Sequence, residues 1–144
     1  MARLAQEHLH RKAVISMVTL RLQEGHRTQR YGRIVRDAGG KILAALEPWE
    51  LPPVDLSVAQ FVNPSLYVFD RHWLGSSLAL IPLVDKGDGF PAELQLPKLL
   101  PIAHEQGVEI LELPLDDPSE ALGVNTPEEL AEVQLALRAR NGCE

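Results

Sequence analysis

Two apolar runs on either side of a glycine pair restrict this 144-residue chain more than any other feature. YGRIVRD (31–37) and KILAALE (41–47) are each strand-like, and only Ala38, Gly39 and Gly40 separate them. Glycine takes positive φ without a Cβ clash, so Gly39 and Gly40 are both expected at the positive-φ positions of a tight hairpin turn. Upstream, Leu4, Ala5, His8 and Leu9 fall near helical spacing, and AVISMVTL (13–20) is a continuous β-favouring run. The chain is therefore expected to open with a helix and then a buried strand.

The polar stretch RLQEGHRTQR (21–30) has no periodicity and is expected to be a loop. Three prolines in PWELPPVDLSV (48–58) exclude a regular helix and predict an ordered excursion between strands. QFVNPSLYVFD (60–70) is strand-like, but Pro64 cannot donate to a ladder and predicts a bulge or edge beside Asn63. RHWLGSSLALI (71–81) is expected to be a short helix and KGDGFP (86–91) a loop. A helical pattern over 91–106 closes at Gly107, a C-cap residue, and VEILELPL (108–115) is a strand by alternation. Thr126 as N-cap, Pro127 at the first helical position and Glu128 and Glu129 in the first turn mark a last helix, with Arg138 and Arg140 suiting its other end. This order is α/β, in one domain over 1–140 with a tail at 141–144.

Composition narrows function mainly by exclusion. At 45% apolar and 24% charged residues the chain is one globular domain, and its single cysteine, Cys143, leaves no intramolecular bridge and reads as cytosolic. No apolar run approaches the roughly 20 residues of a membrane span. Residues 1–36 hold 8 Lys or Arg against 2 Glu, and residues 37–144 hold 6 against 18 acidic residues. With three Phe, two Tyr and two Trp there is little to stack on bases, so nucleic acid is not an expected partner. Phosphate-loop, dinucleotide, zincin and nucleophile-elbow motifs are all absent. His8 and His10 lie two apart on a helix, face different ways and are expected at its surface. His26, His72 and His104 have no ligand partners at metal spacing.

YGRIVRDAGGKILAALE, then VNPSLYVFDR, then EQGVEILELPLDDPSEALGVNTPEELAEVQLAL together resemble the second half of the sugar-phosphate nucleotidyltransferase domain. The resemblance is nearest to the N-acetylglucosamine-1-phosphate uridylyltransferase type, whose pieces read YGRIVRD, VNTGIYVFD and EDPEEVLGVN in the same order. It implies a partial Rossmann-like mixed sheet with a β-hairpin and flanking helices. It also implies that Gly32 lets a sugar nucleotide approach the backbone and that Glu47 accepts hydrogen bonds from sugar hydroxyls. Asn63 would offer donor and acceptor to the sugar, and Asn125 would help hold Mg²⁺. Plainer readings stand beside these: a strand-entry glycine, a solvated strand-end glutamate, a bulge asparagine, and an Asx turn leading into the Thr126 cap.

The chain also departs from the pattern. VNTG is VNPS here, and the lysine that follows the family glutamate gives way to Pro48 and Trp49. Glu93 aligns with the glutamate of the family's G-E-Y-Y-x-T-D stretch, but Pro97 and Lys98 stand where Thr and Asp are expected. The family's Gly-rich opening loop, catalytic lysine and metal-binding aspartate precede the position aligned with Met1. The resemblance thus implies a chain that, in intact form, transfers a nucleotidyl group to a sugar 1-phosphate and that is inactive as the isolated piece, with no catalytic residue in this sequence. A nucleotide sugar or sugar 1-phosphate is the expected ligand, and an uncovered sheet edge is expected to invite association. The competing reading is a non-catalytic sugar-binding or regulatory module with the same half-fold.

Overall fold

A computed structural model describes residues 2–21, 31–47, 49–50, 60–85, 87, 89 and 91–142. Of the loop expected at 21–30, Arg21 ends a strand and 22–30 lie outside these residues, as does most of the proline-rich excursion. So do His26, Cys143 and parts of the 86–91 loop.

The architecture is arranged around strand β1 (Ile15–Arg21), buried at every position except Arg21. A strand covered on both faces needs apolar side chains on both, which is why AVISMVTL shows no alternation. Its two polar members are each bonded. The Ser16 hydroxyl lies 2.8 Å from His8 Nδ1, and the Thr19 hydroxyl donates to Glu112 Oε1 at 2.6 Å. Strand β8 (Ile110–Leu115) runs parallel along one edge of β1, from Ile15 opposite Ile110 to Leu20 opposite Leu115. Strands β4 (Phe61–Asn63) and β5 (Tyr67–Phe69) follow each other antiparallel along the other edge. They are one strand interrupted at Pro64, as expected. Ser65 turns to φ 60°, and the Val18 N–H donates to Leu66 O at 3.0 Å across the gap.

The hairpin of β2 (Gly32–Arg36) and β3 (Ile42–Leu46) joins the outer side of β4, with Gly32 opposite Asn63 and Arg33 opposite Val62. The result is an α/β fold with a partial Rossmann-like mixed sheet in which β2 occupies the flank of β4 and leaves the flank of β5 without a partner strand among the described residues.

Alternation assigns side chains to two faces. On one, Met17, Ile34, Ile42 and Ala45 pack with Leu100 of helix α3 (Leu99–Glu105), joined by Phe61, Tyr67 and Ile110. On the other, Leu20, Val62 and Ala121 pack with Tyr31 and Leu115, and helix α1 (Ala2–His10) lies over β1 through Leu4 and the His8–Ser16 contact. His8 is therefore buried, not at the helix surface as its spacing had suggested. Leu9, counted on the apolar stripe, is 75% exposed.

The hairpin is present, but its turn is built differently. Only Gly40 adopts positive φ, at 81°; Gly39 does not. Asp37 Oδ1 accepts from the N–H groups of Gly39 and Lys41 at 2.8 and 2.9 Å, so a side chain organises a three-residue loop that needs one left-handed residue. The 91–106 helix is also shorter than expected. Pro97 sits in a 3₁₀ turn (Leu96–Lys98), α3 begins at Leu99, and Glu93–Leu94 form strand β7, paired with β6 (Leu83–Val84) in a ribbon that the helical pattern had hidden. Gly107 at φ 70° ends α3 as expected, with Val108 N–H donating to Ala103 O.

Helix α2 (Arg71–Ser77) is capped by Asp70, and helix α4 (Pro127–Asn141) starts at the Thr126 cap. Leu130, Leu135 and Leu137 of α4 are all exposed. No helix of the described residues is long and apolar enough to cross a membrane.

Candidate functional site

Strand register brings three of the four expected residues together. Gly32 pairs directly with Asn63 across β2 and β4. Glu47 follows β3 two residues after Ala45, which is opposite Ile34, so alternation places Glu47 on the face carrying Gly32, Asn63 and Tyr67. A Cβ built on Gly32 would meet Leu46 O at 3.3 Å and Glu47 Oε1 at 3.4 Å. The Glu47 carboxylate thus lies over the start of β2, in space that a side chain at position 32 would take.

Glu47 is held from behind. Its N–H donates to Glu50 Oε2 at 2.9 Å, its carbonyl accepts from Glu50 N–H at 2.9 Å, and Glu50 is ion-paired to Lys98. Burial alone would raise the Glu50 carboxyl. The bond from Lys98, the Glu47 N–H and the Lys98 charge outweigh it and hold the group below its ordinary value. Lys98, which departs from the family pattern, therefore braces the turn that carries Glu47.

Asn63 is 3% exposed, and its Oδ1 accepts from Ser65 N–H at 3.0 Å, which leaves its Nδ2 buried without a partner among the described residues. The Tyr67 hydroxyl is likewise buried and has no well-formed hydrogen bond among the described residues. Burial pushes the Tyr67 phenol well above its ordinary value; the neighbouring Asn63 amide opposes this and the Glu47 carboxylate adds to it. Arg33, next to Gly32, is buried and donates to Tyr31 O at 2.7 Å; burial lowers its guanidinium.

Asn125 stands apart from this cluster in its contacts. It is exposed, its N–H donates to Glu129 Oε2 at 2.7 Å, and it immediately precedes the Thr126 cap. The preceding turn (Pro118–Ala121) is tied to the start of β2 by the Tyr31 hydroxyl donating to Ala121 O at 2.8 Å. One exposed neutral oxygen donor is too little for a divalent ion, and the described residues hold no group of three His, Cys, Asp or Glu suited to a metal. On their own, these residues do not fit Mg²⁺. A separate cavity of about 310 Å³ lies at the turn end of the hairpin, between Arg36, Asp37, Lys41, His104, Glu109 and Glu112.

The sequence had not singled out Tyr67 or the Glu50–Lys98 pair. Tyr67 could have been found from Asn63, since the same strand carries both and resumes its alternation after the break. No sequence signal joins positions 48 residues apart.

No family model matches the chain. Curated relatives do. The bifunctional protein GlmU of Paraburkholderia phytofirmans is 36% identical over 104 residues, which cover 72% of this chain and 22% of the relative. The GlmU of Trichlorobacter lovleyi is 30% identical over 138 residues, 96% of this chain and 28% of the relative. That of Corynebacterium efficiens is 30% identical over 133 residues, 92% and 26%. The chain is homologous to part of GlmU. The relationship bears out the resemblance to the sugar-phosphate nucleotidyltransferases read from the sequence. The chain spans about a quarter of the length of the curated relatives it matches.

Proposed function

We propose that this chain is the sugar-binding half of a nucleotidyltransferase domain acting in the cytoplasm, with UDP-N-acetylglucosamine or its sugar 1-phosphate as ligand. The observation that carries the reading is the convergence of Gly32, Glu47 and Asn63 on one face of the sheet. A carboxylate offers two acceptor oxygens to sugar hydroxyls, an amide offers a donor beside it, and the glycine leaves room for the carboxylate. Charge-assisted bonds of this kind contribute about 1.5–3 kcal/mol each.

In the intact enzyme the reaction is attack by a sugar 1-phosphate on the α-phosphate of a nucleoside triphosphate, giving a nucleotide sugar and pyrophosphate. This chain's residues orient the sugar. Charge neutralisation at the phosphates falls to groups other than these. The isolated chain therefore binds without turnover. Isothermal titration of the 144-residue chain with UDP-N-acetylglucosamine is expected to give saturable binding that Glu47→Gln weakens. Pyrophosphate release from N-acetylglucosamine 1-phosphate and uridine triphosphate is expected to stay at background. Absence of binding overturns the sugar-binding assignment, and turnover overturns the division of labour.

We also propose that the chain associates through the flank of β5, where an apolar groove lined by Ala5, Leu9, Val68 and Phe69 adjoins a strand edge with no partner among the described residues.

A further inference from the structure

Buried polar atoms without partners are rare, because each loses its bond to water and gains nothing in return. Among the described residues two such atoms occur in one neighbourhood: Asn63 Nδ2, a donor, and the Tyr67 hydroxyl, which can donate and accept. The Tyr67 ring itself is well placed, stacked on Phe69 with centroids 5.5 Å apart and packed against the cluster of Met17, Ile34 and Leu100. Phenylalanine would keep all of those contacts and remove one unpartnered atom. The hydroxyl is thus short of a well-formed bond in the empty chain, although the Asn63 amide lies near enough to oppose part of the effect of burial, with the Glu47 carboxylate its other neighbour.

We propose that Tyr67 is a positioning residue for sugar binding: its hydroxyl pairs with the Asn63 amide when ligand is bound and fixes Asn63 and Glu47 in the orientation that meets the sugar. The inference rests on the function proposed above. The Tyr67 hydroxyl is shielded from solvent behind Asn63, so Tyr67 acts through Asn63 and Glu47. The required movement is small, since hydrogen bonds that are long or misaligned in an empty site tighten on occupation. Asn63 is suited to this because its Oδ1 is already anchored on Ser65 N–H, which leaves the other end of the amide to be set by Tyr67.

The test is Tyr67→Phe, which preserves the ring. Thermal unfolding of the full chain without ligand is expected to give a midpoint equal to or above that of the native sequence. Titration with UDP-N-acetylglucosamine is expected to give a Kd about tenfold weaker, the size of one neutral hydrogen bond. Ligand is also expected to shift the near-ultraviolet tyrosine absorption of the native chain, and this shift is expected to vanish in Tyr67→Phe. A lowered midpoint for the empty variant overturns the inference, because the hydroxyl would already be bonded. Unchanged affinity of the variant overturns it while leaving sugar binding intact. A native chain that binds no nucleotide sugar overturns the proposed function, and the inference falls with it.

Discussion

Gly32 and Glu50 are the residues at which small changes are most informative. Ala at position 32 brings a Cβ against Leu46 O, a backbone atom that cannot swing aside, and against the Glu47 carboxylate. Gly32→Ala is expected to lower stability by about 1 kcal/mol, read from the urea midpoint, and to weaken nucleotide-sugar binding by displacing Glu47. Glu50 carries a pH signature. Its carboxyl is held below the ordinary value, so its contribution to stability is complete above the unfolded carboxylate range and is lost as pH falls through the depressed folded value. Lys98→Met removes the partner and leaves burial to raise the group. The acid-side loss of the urea midpoint is therefore expected to begin at higher pH in the variant. That Gly32 and Glu47 come together was legible because the hairpin sets the register between them locally. Lys98 was not, because its role depends on a 3₁₀ turn meeting the 47–50 turn, and only tertiary structure brings those together.

At the level of elements, the hairpin separates what pattern can and cannot reveal. The two apolar runs and the glycines specified β2, β3 and the turn between them, but which glycine carries the strain was decided by Asp37, whose side chain bonds two backbone N–H groups. Gly40→Ala is expected to cost about 1 kcal/mol through its positive φ, and Gly39→Ala less, as judged from paired denaturation curves. The ribbon of β6 and β7 was hidden because two-residue strands carry no measurable period, and Leu94 fitted a helical pattern although it faces solvent. Helix α4 is the opposite case. Cap, proline and charges announced it clearly, yet it buries none of its three leucines at 130, 135 and 137 and is covered only in part at Glu129, Val133 and Ala136, so local signals carry much of its stability. Thr126→Ala is expected to reduce far-ultraviolet helicity by loosening this end first, with a loss on the order of 1 kcal/mol.

For the molecule as a whole, exposed apolar surface and an unpaired edge coincide. Leu9 lies at 75% exposure beside the free flank of β5, and Leu135 is 65% exposed on α4. The chain is expected to sediment as a concentration-dependent mixture, and Leu9→Lys is expected to raise the monomer fraction; equal sedimentation of the two would count against the β5 flank as the contact. The half-fold was readable because α/β order and the hairpin leave few ways to assemble a sheet. The position of β1 between β5 and β8 was not readable, since a run buried on both faces does not say which strands cover it. That placement has a consequence for biosynthesis. Strand β1 ends at Arg21 and its parallel partner begins only at Ile110, so a growing polypeptide carries one uncovered, sticky flank of its most apolar strand until that later stretch has been made.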